Sequence, residues 1–99
     1  MSIARINSVE FETEEQLQER TRMFDDKEIT LPLEAEAVLF IKTGPTTALS
    51  ILVYPDQETA DASLETREKL MSMAKFKDQF YLEGEVQRLQ INKRIYWSF

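Results

Sequence analysis

Arg5 and Asn7 stand two residues apart in the stretch Ile3-Ala4-Arg5-Ile6-Asn7-Ser8-Val9-Glu10-Phe11. If that stretch is extended, alternation sends both side chains to one face. A guanidinium fork beside a carboxamide can orient an anionic or carbonyl-bearing ligand. The ordinary alternatives are an ion pair for Arg5, with a carboxylate of a neighbouring strand or the tail, and a surface amide hydrogen bond for Asn7. Glu83 and Glu85 are a second pair spaced by two. They could hold a hard cation or act as a coupled acid and base, although glutamates so spaced usually face solvent. Asp25-Asp26-Lys27-Glu28 lacks the spacing of a calcium loop. Gly44 and Gly84 are the only glycines, too few for a phosphate-cradling loop.

What the 99 residues lack is equally informative. There is no cysteine, hence no disulfide, thiolate metal site, iron–sulfur cluster or thiol nucleophile. There is no histidine, the usual proton carrier near neutral pH, which removes a Ser-His-Asp arrangement and histidine-ligated haem. A metal would have oxygen ligands alone, and no cofactor is expected. The longest apolar run is Ala37 to Ile41, too short for a membrane span. With no signal peptide in the first residues, a cytoplasmic location is the expectation.

The net charge of −6 disfavours nucleic acid and anionic membrane as partners. Charge is uneven: residues 10–36 hold ten acids and three bases, while the last twelve hold Arg88, Lys93 and Arg94 and no acid. The bases near Tyr96 and Trp97 have the form of a single-strand binder, which the overall charge opposes. Ten aromatic residues, with Met23, Met71 and Met73, could line an adaptable apolar pocket or simply fill a core and an interface.

The elements that must position these groups follow from periodicity. Residues 3–11 read as a strand. Thr13 with Gln16 forms a capping box opening a helix to about Phe24, with Leu17, Arg20 or Thr21, and Phe24 on one face. Residues 25–34 read as an irregular connection broken at Leu31-Pro32-Leu33. Residues 35–43 and 47–54 form a hairpin about Gly44-Pro45. Asp56 caps a second helix over 57–75, with Ala60, Leu64, Arg67, Met71 and Ala74 inward. A last strand runs from Phe80 to Gln87, with Gly84 a candidate bulge and Leu89 and Ile91 a possible continuation.

The order β-α-β-β-α-β predicts a single α+β, ferredoxin-like domain over 1–99: a four-stranded antiparallel sheet with helices on one face. Residues 92–99 form a C-terminal arm, whose Ile95, Tyr96, Trp97 and Phe99 are expected to be buried, more against a partner subunit than their own. Both sheet faces are apolar, Leu39 and Ile41 against Val38 and Phe40, and Leu49, Ile51 and Val53 against Leu52 and Tyr54. Helices cover one face, so a symmetric homodimer packed sheet to sheet is expected to bury the other, the alternative being that the C-terminal tail folds over it. Aspartate at Phe40 or Leu52 is the charge expected to break that dimer.

The hairpin, Tyr54-Pro55-Asp56, the helix carrying Ala60, Leu64 and Arg67, and Tyr81-Leu82-Glu83-Gly84-Glu85-Val86 resemble the dimeric α/β-barrel superfamily. The resemblance is nearest the antibiotic-biosynthesis monooxygenase-like proteins and covers most of residues 1–87. It implies a barrel formed by two sheets. It also implies a small planar organic substrate undergoing cofactor-free oxygenation or isomerisation, with Asn7 and Arg5 as polar anchors and Tyr54 or Tyr81 as phenolic donor. In the haem-degrading branch, a strand-one asparagine works with a histidine and a tryptophan. Asn7 resembles the first, the histidine is missing and Trp97 lies in the tail, so haem is not expected as a substrate. The competing reading is a non-catalytic interaction or regulatory module whose dimer is its working unit. A ligand-sized pocket with converging polar groups separates the two.

Overall fold

A computed structural model describes residues 1–26, 34–72 and 76–90. The Leu31-Pro32-Leu33 break, Ala74, Ile91 and the arm 92–99 lie outside the described residues. The elements run β1 (Ile3–Phe11), α1 (Glu14–Asp25), β2 (Ala37–Lys42), β3 (Thr47–Tyr54), α2 (Gln57–Ala62), α3 (Leu64–Ser72) and β4 (Phe76–Glu85). The sheet order is β2-β3-β1-β4, antiparallel throughout, which is the ferredoxin-like arrangement.

Local chemistry starts and stops these elements. Thr13 Oγ1 accepts from Gln16 N at 3.2 Å, while Gln16 Oε1 reaches back to Glu12 N at 3.0 Å. The box thus closes one residue earlier than its usual form. Asp56 Oδ1 accepts from Thr59 N at 2.7 Å and starts α2. The single helix expected over 57–75 is instead two segments. Ser63 intervenes, its hydroxyl donating to Thr59 O at 3.1 Å, a back-bond that competes with regular helix. Leu64, expected inward, is 37% exposed, and the buried residue beside the break is Ser63. In the hairpin, Thr43 N donates to Thr47 O at 3.0 Å and the two hydroxyls bond at 2.9 Å. A Cβ on Gly44 would stand 2.6 Å from Thr47 Oγ1, so glycine keeps that bond in place.

The last strand begins at Phe76, not Phe80, and ends at Glu85, so Leu89 does not continue it. Its irregularity is not at Gly84, which pairs regularly with Ala4. It lies at the other end, where Glu10 meets Asp78 and Phe11 meets Phe76, two residues of β4 advancing for one of β1.

The register resolves the two faces into rows across all four strands. Val38–Leu52–Arg5–Glu83 and Phe40–Ser50–Asn7–Tyr81 share one face; Leu39–Ile51–Ile6–Leu82 and Ile41–Leu49–Ser8–Phe80 share the other. All described helix packing is on the first. Ala60 clusters with Ile3, Leu52 and Tyr54, and Leu17 with Phe11 and Ala48. The Phe24 ring lies 5.1 Å from that of Phe40. The second face carries exposed apolar side chains at both edge strands: Leu39 at 54%, Ile41 at 40%, Phe80 at 59% and Leu82 at 50%. Phe40 and Leu52 therefore sit beneath the helices, and aspartate there would disrupt the interior rather than an interface. The residues to charge are in the row through Ile51. Among the described residues, no helix is long and apolar enough to cross a membrane.

Candidate ligand cavity

Between the sheet and the helices lies a cavity of about 280 Å³. Val38, Phe40, Ser50, Leu52 and Asn7 form its sheet wall; Arg20 and Phe24 from α1, and Arg67 and Met71 from α3, form its helix wall. Arg5 and Tyr54 also line it, as do Phe11 and Phe76. The walls are mostly apolar, with a few polar groups converging, the usual make-up of a small-molecule site.

Arg5, Asn7 and Tyr54 are thus brought to one cavity, but in unequal states. Arg5 is 4% exposed and its donors are committed. Its Nε donates to Glu83 Oε1 at 2.6 Å, its Nη2 to Asp61 Oδ1 at 2.8 Å and its Nη1 to Ala60 O. Arg5 and Glu83 are direct cross-strand partners, so the ion pair follows from register alone. Asp61 and the Ala60 carbonyl come from the C-terminal turn of α2, where a cation is favoured. Burial works against the Arg5 charge, but the Glu83 and Asp61 hydrogen bonds and the nearby negative charge outweigh it and hold its pKa above the ordinary value.

Asn7 is buried, and its Oδ1 accepts from Arg67 Nε at 3.0 Å. This fixes the amide, because Nε can only donate, and leaves Nδ2 as a donor without a hydrogen-bond partner among the described residues. Tyr54 is 3% exposed and its ring lies 5.9 Å below the Arg5 guanidinium. Tyr81 is not in the wall. Its ring supports Arg67, whose guanidinium carbon is 4.2 Å from the ring centre, and its hydroxyl donates to Glu83 Oε1 at 3.3 Å. Burial raises the Tyr81 pKa, partly offset by the charge of Arg5.

Two residues matter here that were not singled out as site residues from sequence. Arg67 occupies the inward stripe of the second helical stretch, and a cation on an otherwise apolar inward stripe was the signal. Arg20 is 8% exposed, 5.9 Å from the centre of the Phe11 ring and 5.7 Å from that of Phe76, and burial pushes its pKa down. The Glu83 and Glu85 cation site does not form: Glu83 is bound to Arg5. No group of three or more potential metal-ligating side chains gathers among the described residues.

The Arg5 hydrogen bond holds the Glu83 carboxyl below the usual carboxylate range. A lower pKa in the folded chain means the pair stabilises fully above the unfolded-state value and is lost as pH falls through the folded value. Glu83→Gln should therefore be less stable than the parent at neutral pH. The gap should close in strong acid. Denaturant titrations at stepped pH read this, and a gap that persists unchanged would show that the charge of Glu83 is not what binds Arg5.

A four-stranded sheet covered by helices on one face, apolar on the other, with a cavity beneath the helices, defines a ferredoxin-like α+β protein. Solved structures share this fold. The NE2512 protein of unknown function from Nitrosomonas europaea superposes with a TM-score of 0.71 at 15% identity, over 92% of this chain and 94% of that one. A dimeric ferredoxin-like protein from an uncultured marine organism gives 0.67 at 13% identity, over 93% of each chain. SnoaB, a cofactor-independent oxygenase from Streptomyces nogalater, gives 0.57 at 10% identity, over 89% of this chain and 95% of that one. At these identities the likeness is one of fold, and it agrees with the ferredoxin-like fold expected from the sequence. No protein-family model and no curated protein matches the sequence.

Proposed function

We propose that this chain is a cytoplasmic homodimer that binds a small planar organic compound in the cavity between sheet and helices. The observation that carries the reading is the cavity itself: about 280 Å³, apolar-walled, with Asn7, Ser50 and Arg67 among its lining. That volume is at the lower edge for organic ligands and suits one or two rings. The dimer is supported by the apolar rows on the face that no described helix covers and by a neighbour of this fold described as dimeric.

Among the described residues the lining contains no carboxylate, and the chain has no imidazole or thiol to place there. Proton abstraction from a bound compound thus lacks an ordinary base. This favours binding as the primary activity. Cofactor-independent oxygenation, the activity described for SnoaB, or isomerisation would here act on a compound that ionises without help from a protein base. The same lack of acid–base groups favours, as second reading, a dimer that serves only as an interaction module.

Ser50→Phe separates these readings, because it fills the middle of the sheet wall. The unaltered protein should bind members of a panel of one- and two-ring aromatic compounds, one per chain. At about one hundred times Kd this should add about 2.7 kcal/mol of stability, roughly 10–20 °C in Tm. Ser50→Phe should stay folded and lose the shift. If the panel leaves Tm unchanged, or Ser50→Phe binds equally well, the cavity is not a ligand site and the module reading stands.

A further inference from the structure

We infer that the compound taken into this cavity carries an acidic oxygen group, a carboxylate, enolate or phenolate, that docks on Arg67. The inference rests on the cavity reading and adds the ligand's chemical class. Arg5 and Arg67 line the cavity, and among the described residues no acidic side chain does. Asp61 and Glu83 answer the charge of Arg5 from outside the lining.

Arg67 is held differently. Its Nε donates to Asn7 Oδ1 and its guanidinium carbon lies 4.2 Å over the centre of the Tyr81 ring. Among the described residues no carboxylate is within ion-pair distance of it. A guanidinium has five N–H donors on three nitrogens. With Nε and one face occupied, the edge formed by the two Nη groups is what remains for a ligand. That edge matches two oxygens in a plane. The Asn7 amide nitrogen and the Ser50 hydroxyl come from the same cross-strand row and add neutral donors beside it.

The orientation of Arg67 is built in before any ligand arrives. Arg5 bonds Glu83, Glu83 accepts from Tyr81, Tyr81 stacks under Arg67, and Arg67 bonds Asn7. Arg5 and Glu83 form one cross-strand pair, and Asn7 and Tyr81 the next on the same face. A side chain so restrained loses little further freedom on binding.

The test uses two compounds of one shape, 2-naphthoate and 2-naphthamide, titrated into the intact protein by calorimetry. Both should bind, the carboxylate roughly ten- to hundred-fold tighter, as a charged hydrogen-bonded pair warrants. In Arg67→Leu that preference should fall to near unity while amide affinity stays within a few-fold. Arg67→Lys should keep part of it, since the charge stays and the fork is lost. Tyr81→Leu should lower carboxylate affinity more than amide affinity. If both compounds bind the parent equally, or the preference survives in Arg67→Leu, the Arg67 inference is overturned and the cavity reading stands. If neither binds, both fall.

Discussion

Ile51→Asp is expected to convert the protein from a species of about twice 11.6 kDa to a monomer, or to drive it out of solution. Ile51 sits at the middle of the row Leu39–Ile51–Ile6–Leu82, on the face that no described helix covers. The exposed flanks of that row, at Leu39 and Leu82, are each half or more accessible in the single chain. A contiguous apolar surface of this breadth is rarely left in water. A carboxylate at its centre would be desolvated without a partner on closure of two such faces, a cost of several kcal/mol per subunit and hence many orders of magnitude in the dimer constant. Light scattering over a micromolar dilution series reads the mass. Phe40→Asp is the contrasting variant: it points beneath the helices and should destabilise the subunit without acting on the interface. A parent protein that runs as a clean monomer would remove the argument.

Replacing Arg5 by leucine should be the costliest single change at the cavity. It strands Asp61, Glu83 and the carbonyl of Ala60 at once. Removing one partner of a fully buried ion pair costs about 3–5 kcal/mol. Here Asp61 is 56% and Glu83 32% exposed, so water recovers part and about 2–3 kcal/mol is the expected loss. For a domain of this size that lowers Tm by roughly 10–20 °C. The double variant Arg5→Leu with Glu83→Leu should regain some of it, because a carboxylate without its cation is no longer left behind. Arg67→Leu should shift Tm by only a few degrees, since it gives up one hydrogen bond to Asn7 and a ring contact. Equal losses for Arg5 and Arg67 would contradict the division between an arginine that holds the fold and one that meets the ligand.

Arg5 and Asn7 were legible as a pair because strand alternation is a local property, and the structure keeps both inside. Arg67 was legible as an inward helix position, but not as the partner of Asn7. The two are 60 residues apart, and only the packing of α3 over β1 brings them to 3.0 Å. Tyr54 and Tyr81 were equivalent in sequence. The register separates them, Tyr54 into the wall of the cavity and Tyr81 under Arg67. The break at Ser63 was hidden because its residue spacing remains that of a helix. It arises from a hydroxyl bonding back to Thr59.

Alternation, turn residues and caps by themselves determined the first three strands, the hairpin at Gly44-Pro45 and the helix starts at Thr13 and Asp56, since each depends on neighbours a few residues away. Composition determined the chemistry that is missing, because no fold can supply a thiol or an imidazole the chain does not contain. The tertiary structure alone decided which apolar face lies under the helices and which has no described helix over it. The two faces read alike along a strand, and a helix contact is a long-range event that periodicity does not record. It also decided the fate of the arginines. Arg5 is a structural tie because carboxylates and a helix end converge on it, whereas Arg67, held by Asn7 and the Tyr81 ring, is the one proposed to meet a ligand.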